Sequence, residues 1–399
     1  MADKVCFLVH DNLYNSKREF AAALAKSLER VGLETKTIDI QDFELSKDEI
    51  TSIYRFDPSF ICTFNKMMPL EDGSFIWDAL QLPSVTFLLD PAIHYLHLTN
   101  SPYSVLGYCD RYDDEVIAAS GLKTHFFFPQ AVEKKVAEAE LETERPYDVV
   151  LMGTCYDHER VRAAWENQYP ASVGKVIEAV VERTLAEPRS SFVHILPEEW
   201  RKGGIDPGTV DFLTISSYID YYLRGYDRIE LLKSIKDAEV HVFGDLYWSD
   251  GQDLKGWSDY LSGMANVTVH DPLPYSQTFE VLQKSKICLN STPFFKNGSH
   301  ERLFAGLSSG CTVLTSENLF PREVFGEDKG VEYYRFDERG HVNDLINEIL
   351  SDEPSRMEKV SIGKEIVRLE HTWDNRAELL LQTMPDMASE IYARTANPN

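Results

Sequence analysis

The stretch NGSHERLFAGLSSGCTVLTS, Asn297 to Ser316, sets an imidazole (His300), a carboxylate (Glu301) and a guanidinium (Arg302) side by side where a helix should begin. Ser299 is a good N-cap, Leu303, Phe304 and Leu307 form an apolar stripe, and Gly310 stands where a C-terminal stop belongs, which predicts a helix of about three turns. KICLN before it (Lys286 to Asn290) and CTVLT after it read as buried strands, so the segment is a β-loop-α-β unit. In such units the loop leaving a strand's carboxyl end opens onto the ligand crevice, and the unsatisfied N–H groups of the next helix attract anions. His300 and Arg302 are thus placed for phosphate. The competing reading is a surface helix with a polar first turn, Glu301 serving only the helix dipole.

Two sets of strands must position this unit. KVCFLVH, then an amphipathic helix from Ser16 to Val31 closed by Gly32, then ETKTIDI, make a β-α-β opening, and further strands read at SFICTFN, SVTFLLD, SVLGYCD and KTHFFFP. A charged stretch, Ala131 to Asp148, reads as a hinge or linker. A second series follows at DVVLMGT, EVHVFGD, NVTVH, KICLN, CTVLT and VEYYRF. It is interrupted between about 157 and 237 by a helix-rich insertion in which only SFVHIL resembles a strand, and three helical segments end the chain, the last starting near Trp373.

Composition bounds the function. The 399 residues suggest two domains or three, and 43% hydrophobic and 12% aromatic content suffices for packed cores. With 40 basic against 65 acidic residues, the net charge of -25 repels nucleic acid and anionic membranes, so a phosphate ligand must be held by local donors. The six cysteines are scattered without a C-x-x-C pair, as in a reducing compartment. The opening MADKVCFLVHDNLY already reads as strand and loop, and no apolar run approaches a membrane span, so the expectation is a cytoplasmic protein.

The signatures of dinucleotide oxidoreductases, P-loop NTPases and zincins are absent. There is no D-x-D, and His94 and His97 in PAIHYLHL have no third ligand nearby, so no metal site is expected.

Against that background VLMGT, NVTVHDPLPYSQTFEVLQKSKICLNST, NGSHERLFAGLSSGCTVLTS and HTWDNRAELLL resemble the C-terminal domain of GT-B glycosyltransferases, most of all the CgeB-like group within the group 1 type. PSVTFLLDPAIHY and FFFPQAV resemble the N-terminal domain of that group. The resemblance implies an α/β GT-B fold, two Rossmann-like domains facing a central cleft. Residues 1–145 would be the acceptor-side domain and 146–372 the nucleotide-sugar-binding domain, with 373–399 crossing back to the first. It also implies glycosyl transfer from a nucleotide diphosphate sugar, with a UDP-sugar as first choice, to a protein side chain or a glycan hydroxyl, without a metal or a cofactor.

Site residues follow by resemblance. The diphosphate would rest on the backbone N–H groups near Ser299 to Glu301, with Asn297 and Gly298 in the approaching loop, and Arg302 or His300 adding charge as the leaving group develops. Gly153 and Thr154 would admit the ligand after the first strand of the second domain, and the His270–Tyr275 loop would cradle the nucleobase. The two glutamates that many GT-B enzymes carry in this stretch are replaced by Asn297 and Ala305, which puts a retaining mechanism in question. Candidates for the base that deprotonates the acceptor are Asp90 and His94, with Asp11 as runner-up; each also suits a turn-forming or capping role. An epimerase on the same scaffold, or a catalytically silent nucleotide-sugar-binding protein, would fit the same residues.

Overall fold

In the computed structural model, residues 4–40, 45–65, 67, 69–244 and 254–396 are described. The chain divides into two compact units: Met1–Lys135 with Pro274–Ser276 and Leu369–Asn399, and Val136–Leu273 with Gln277–Arg368.

The first unit is built on six parallel strands, β1 (Lys4–His10), β2 (Glu34–Ile40), β3 (Phe60–Phe64), β4 (Ser84–Phe87), β5 (Ser104–Tyr108) and β6 (His125–Phe127), in the order β2-β1-β3-β4-β5-β6. Successive side chains on a strand point to opposite faces. In β1, Val5, Phe7 and Val9 therefore enter one core and Cys6 and Leu8 another. Because both faces are buried, helices must cover both, which is the doubly wound arrangement.

The Ser16–Arg30 helix covers the first face with Phe20, Ala21, Leu24 and Leu28. The Trp373–Ala396 helix joins it there, contributing Trp373, Ala377 and Leu380. Trp373 lies 5.5 Å from Phe20 and 6.1 Å from Phe64 between ring centroids. The start of this last helix is tied to the segment after β6: Trp373 N–H donates to Val132 O at 3.0 Å, and the buried Arg376 donates to Pro129 O and Gln130 O. Residues 397–399 of the predicted final segment lie outside the described residues.

The second unit has its own parallel sheet, β7 (Tyr147–Met152), β8 (Val240–Phe243), β9 (Val267–His270), β10 (Ser285–Asn290), β11 (Thr312–Ser316) and β12 (Val331–Tyr334), ordered β12-β11-β10-β7-β8-β9. Four helices fill the insertion between β7 and β8: His158–Gln168, Ala171–Ala186, Phe192–Gly203 and Phe212–Ser234. SFVHIL is not a strand. It opens the third of these helices, whose buried Phe192, Ile195, Leu196 and Trp200 recur at helical spacing.

The charged stretch 131–148 is not a bare spacer either. It contains the short helix Lys134–Ala137 and starts β7, and Arg145 is buried, donating to Ser285 O at 2.8 Å and Ser309 O at 2.9 Å. Gly310, with φ of +90°, makes room for that guanidinium, since a Cβ there would lie 2.0 Å from Arg145 Nη2.

Candidate functional site

The central strands of the second sheet, β10 and β7, deliver the site. Beyond β10 the chain runs through a buried loop to the helix Glu301–Ser308, shorter than predicted. Its N-cap is His300, with extended φ and ψ of -127° and 145°, and not Ser299, which is buried outside the helix. Leu303, Phe304 and Leu307 are buried beneath it. Gly298 is already occupied: its N–H donates to Asn318 Oδ1 at 3.1 Å, and its carbonyl accepts from Asn318 Nδ2 at 3.0 Å. Asn297 is half-buried beside it.

His300, Glu301 and Arg302 touch one another. His300 Nδ1 is 2.6 Å from Glu301 Oε2, and His300 Nε2 is 3.2 Å from Arg302 Nη2. Burial pushes the imidazole down to about 4, with Arg302 and Arg228 adding to the effect against Glu301. Burial alone would raise Glu301, but His300 and Arg302 outweigh it and hold its carboxyl below the ordinary value. At neutral pH the pair is therefore a neutral imidazole beside a carboxylate. Hydrogen-bond geometry assigns the tautomer: the single N–H sits on Nδ1 and donates to Glu301, and the Nε2 lone pair accepts from Arg302. Arg302 N–H, 3.4 Å from Nδ1, then faces a nitrogen with no lone pair to give, so this helix-terminal donor is open to a ligand.

Arg302 is 6% exposed, and its Nη1 is buried with no hydrogen-bond partner among the described residues. Leaving a charged donor so costs about 1–3 kcal/mol or more. What Nη1 faces is Gly153, directly after β7: a Cβ built there would lie 3.7 Å from Arg302 Nη1 and 3.6 Å from Arg228 Nη1. Arg228, from the Phe212–Ser234 helix, is 3% exposed and donates from Nη1 to Thr154 O at 2.8 Å. Two buried guanidiniums thus converge on Gly153, which carries no side chain. Within this group Glu301 is bonded to His300, and the neighbouring Asp227 accepts from the hydroxyls of Ser291 and Tyr334, both at 2.6 Å. Such a pocket suits an anion with several oxygens.

Of the sequence-predicted donor residues, the structure gathers Gly153, Thr154, His300, Glu301 and Arg302. His270 ends β9 at the sheet edge, two strands from β7, where its Nε2 is 2.9 Å from His241 Nδ1 and its ring stacks on Phe243 at 4.3 Å. Tyr275 belongs to the first unit, edge-on to Phe20 at 5.0 Å. Sequence reasoning missed Arg228. Its signal was in YYLRGYDRIELL: two arginines and an aspartate on a helix whose Leu223, Ile229, Leu231 and Leu232 are all core.

The base candidates lie in the first unit. Asp90 Oδ2 accepts from Asn65 Nδ2 at 2.8 Å and from Tyr95 OH at 3.3 Å. His94, in the 3-10 segment Ala92–Asn100, stands edge-on to Tyr95. Asp11 is exposed and paired with Arg18, which also holds Asp39. Among the described residues no group of three or more His, Cys, Asp or Glu is placed to hold a metal ion, and no helix is long and apolar enough to cross a membrane.

Comparison with known proteins agrees with this architecture. Residues 228–382 match the glycosyl transferase-like family, a match that begins at Arg228 and includes His300 to Arg302. No curated protein matches the sequence. Among solved structures, a glycosyltransferase from Rickettsia africae superposes with a TM-score of 0.58 at 8% identity, covering 97% of this chain and 99% of that one. Anabaena HepE in complex with UDP-glucose gives 0.59 at 9% identity, covering 96% and 99%. The T4 phage BGT in complex with its UDP-glucose substrate gives 0.52 at 11%, covering 95% and 99%. The fold is the two-domain α/β fold of GT-B glycosyltransferases.

Proposed function

We propose that the protein is a glycosyltransferase that moves a sugar from a nucleoside diphosphate sugar, a UDP-sugar in first choice, to a hydroxyl of a glycan or a protein side chain, without a bound metal. The observation that carries this reading is the buried, unpartnered Nη1 of Arg302, converging with Arg228 on Gly153 in a chain of net charge -25. In this reading the β-phosphate lies over Gly153, taking hydrogen bonds from both guanidiniums and from Arg302 N–H. Charge that develops on the diphosphate as the sugar leaves is met by donors already desolvated and oriented, so little reorganisation is needed at the transition state. The glutamate-pair positions are occupied by Asn297 and Ala305, which favours a single displacement with inversion, and Asp90 or His94 takes the acceptor proton, with Asp11 the runner-up.

The reading is tested by incubating the protein with a panel of nucleotide sugars in EDTA and following free nucleotide. Release of UDP that depends on an added acceptor supports transfer. An interconverted donor without acceptor would make the protein an epimerase, binding without turnover would make it a silent binder, and activity restored only by manganese or magnesium would refute metal independence.

A further inference from the structure

We propose that His300 is the proton carrier of this site: binding of a nucleoside diphosphate takes up one proton, on His300 Nε2. The inference deepens the donor-site reading and rests on it. In the ligand-free protein, Nδ1–H is committed to Glu301 at 2.6 Å, and the Nε2 lone pair is the acceptor for Arg302 Nη2 at 3.2 Å. Arg302 is thus held by a neutral acceptor on one side while its Nη1 has no hydrogen-bond partner among the described residues.

A diphosphate changes both sides of that arrangement. Its oxygens are stronger acceptors than an imidazole nitrogen and draw the guanidinium to themselves. Nε2 then loses its donor and faces phosphate oxygens, which offer only lone pairs, so the contact becomes a hydrogen bond only if Nε2 gains a proton.

The charges facing His300 say the same. On its own helix they are Glu301 and Arg302, and from the Phe212–Ser234 helix Arg228; Cys288, on β10 near Glu301 and Arg302, is a neutral thiol pushed up to about 12 by burial. The two guanidiniums oppose protonation in the empty site, and a bound diphosphate neutralises both, leaving Glu301 to favour the imidazolium. In transfer, the acceptor oxygen bonds the anomeric carbon as the bond from that carbon to the β-phosphate oxygen breaks; the acceptor's proton goes to the base on the acceptor side, the electron pair of the broken bond stays on the phosphate oxygen, and the Nε2 proton is already there to hydrogen-bond it.

The test is calorimetry of UDP binding at pH 6 in MES and in Bis-Tris, buffers of different ionisation enthalpy, for the wild type and for His300→Gln. Gln keeps a side-chain amide near Nε2 but cannot titrate, and the proton exchanged by UDP's own phosphate is common to both proteins. The wild type should take up about one proton more than the variant. Its affinity advantage should grow up to about tenfold per pH unit as pH falls through the bound-state pKa.

A second readout needs only the wild type to fold and bind: in histidine-labelled protein, UDP should move one imidazole's nitrogen shifts from the neutral to the imidazolium pattern. Equal proton uptake in both proteins, or no such shift while UDP binds, overturns the assignment and leaves the donor site standing. No binding of either UDP or inorganic pyrophosphate overturns both.

Discussion

Replacing Arg302 by Met separates a ligand-binding guanidinium from a structural one, because the two roles predict opposite signs. The side chain is 6% exposed, so methionine fills much of the same buried volume. In the ligand-free protein the substitution deletes one bond, Nη2 to His300 Nε2, worth about 0.5–1.5 kcal/mol. It also deletes a buried unpartnered donor, Nη1, whose burial costs about 1–3 kcal/mol. The balance runs from about 0.5 kcal/mol less stable than the wild type to about 2.5 kcal/mol more stable. UDP loses charge-assisted hydrogen bonds of about 1.5–3 kcal/mol, so its affinity should fall by about 10- to 150-fold. Scanning calorimetry without ligand and titration calorimetry with UDP read the two numbers. A variant that loses more than about 2 kcal/mol of stability while binding UDP like the wild type would refute the reasoning, since the guanidinium would then be a core tie.

Three further outcomes follow from the same geometry. Gly153→Ala should fold normally, because the new Cβ meets Arg228 and Arg302 at 3.6 and 3.7 Å, ordinary contact distances, yet it occupies the diphosphate's place and should weaken UDP about tenfold or more by calorimetry. Asp90→Asn should lower transfer by about 100-fold or more while leaving UDP affinity unchanged, if Asp90 takes the acceptor proton; near wild-type turnover sends the search to His94 and Asp11. Stability should fall as pH drops from 6.5 towards 4 and 3. Burial lowers the folded-state values of His300 to about 4 and of His371 to about 3, Arg376 adding to the latter, so the unfolded chain takes up protons first and the loss levels off only below those values. His371→Gln should flatten that dependence in urea titrations across pH.

Much of this was legible in the sequence because it depended on local periodicity. Central strands such as β1 and β3 are short apolar runs buried on both faces, which leaves few polar residues to confuse the pattern, whereas the edge strands β2 and β9 carry more exposed polar positions. SFVHIL was ambiguous because a run that short fits both periods, and only Trp200, four residues after Leu196, settles it. The His300–Glu301–Arg302 cluster was visible as residue types, but the cap was misplaced by one residue: Ser299 is chemically the better cap, and it was the Glu301 carboxylate and the two arginines that organised His300. Arg228 could not be paired with Gly153 by spacing, because it lies 74 positions beyond its partner Thr154 and only the packing of the helical insertion returns it to β7. His270 and Tyr275 were assigned from a loop, and their partners, Phe243 and Phe20, are fixed by tertiary packing that no local pattern encodes.

The most direct measurement is a crystal structure of the protein with UDP. The diphosphate should lie over Gly153, with its oxygens within hydrogen-bond distance of Arg302 Nη1, Arg228 and Arg302 N–H. A UDP bound elsewhere, with Arg302 Nη1 still unpartnered, would contradict it.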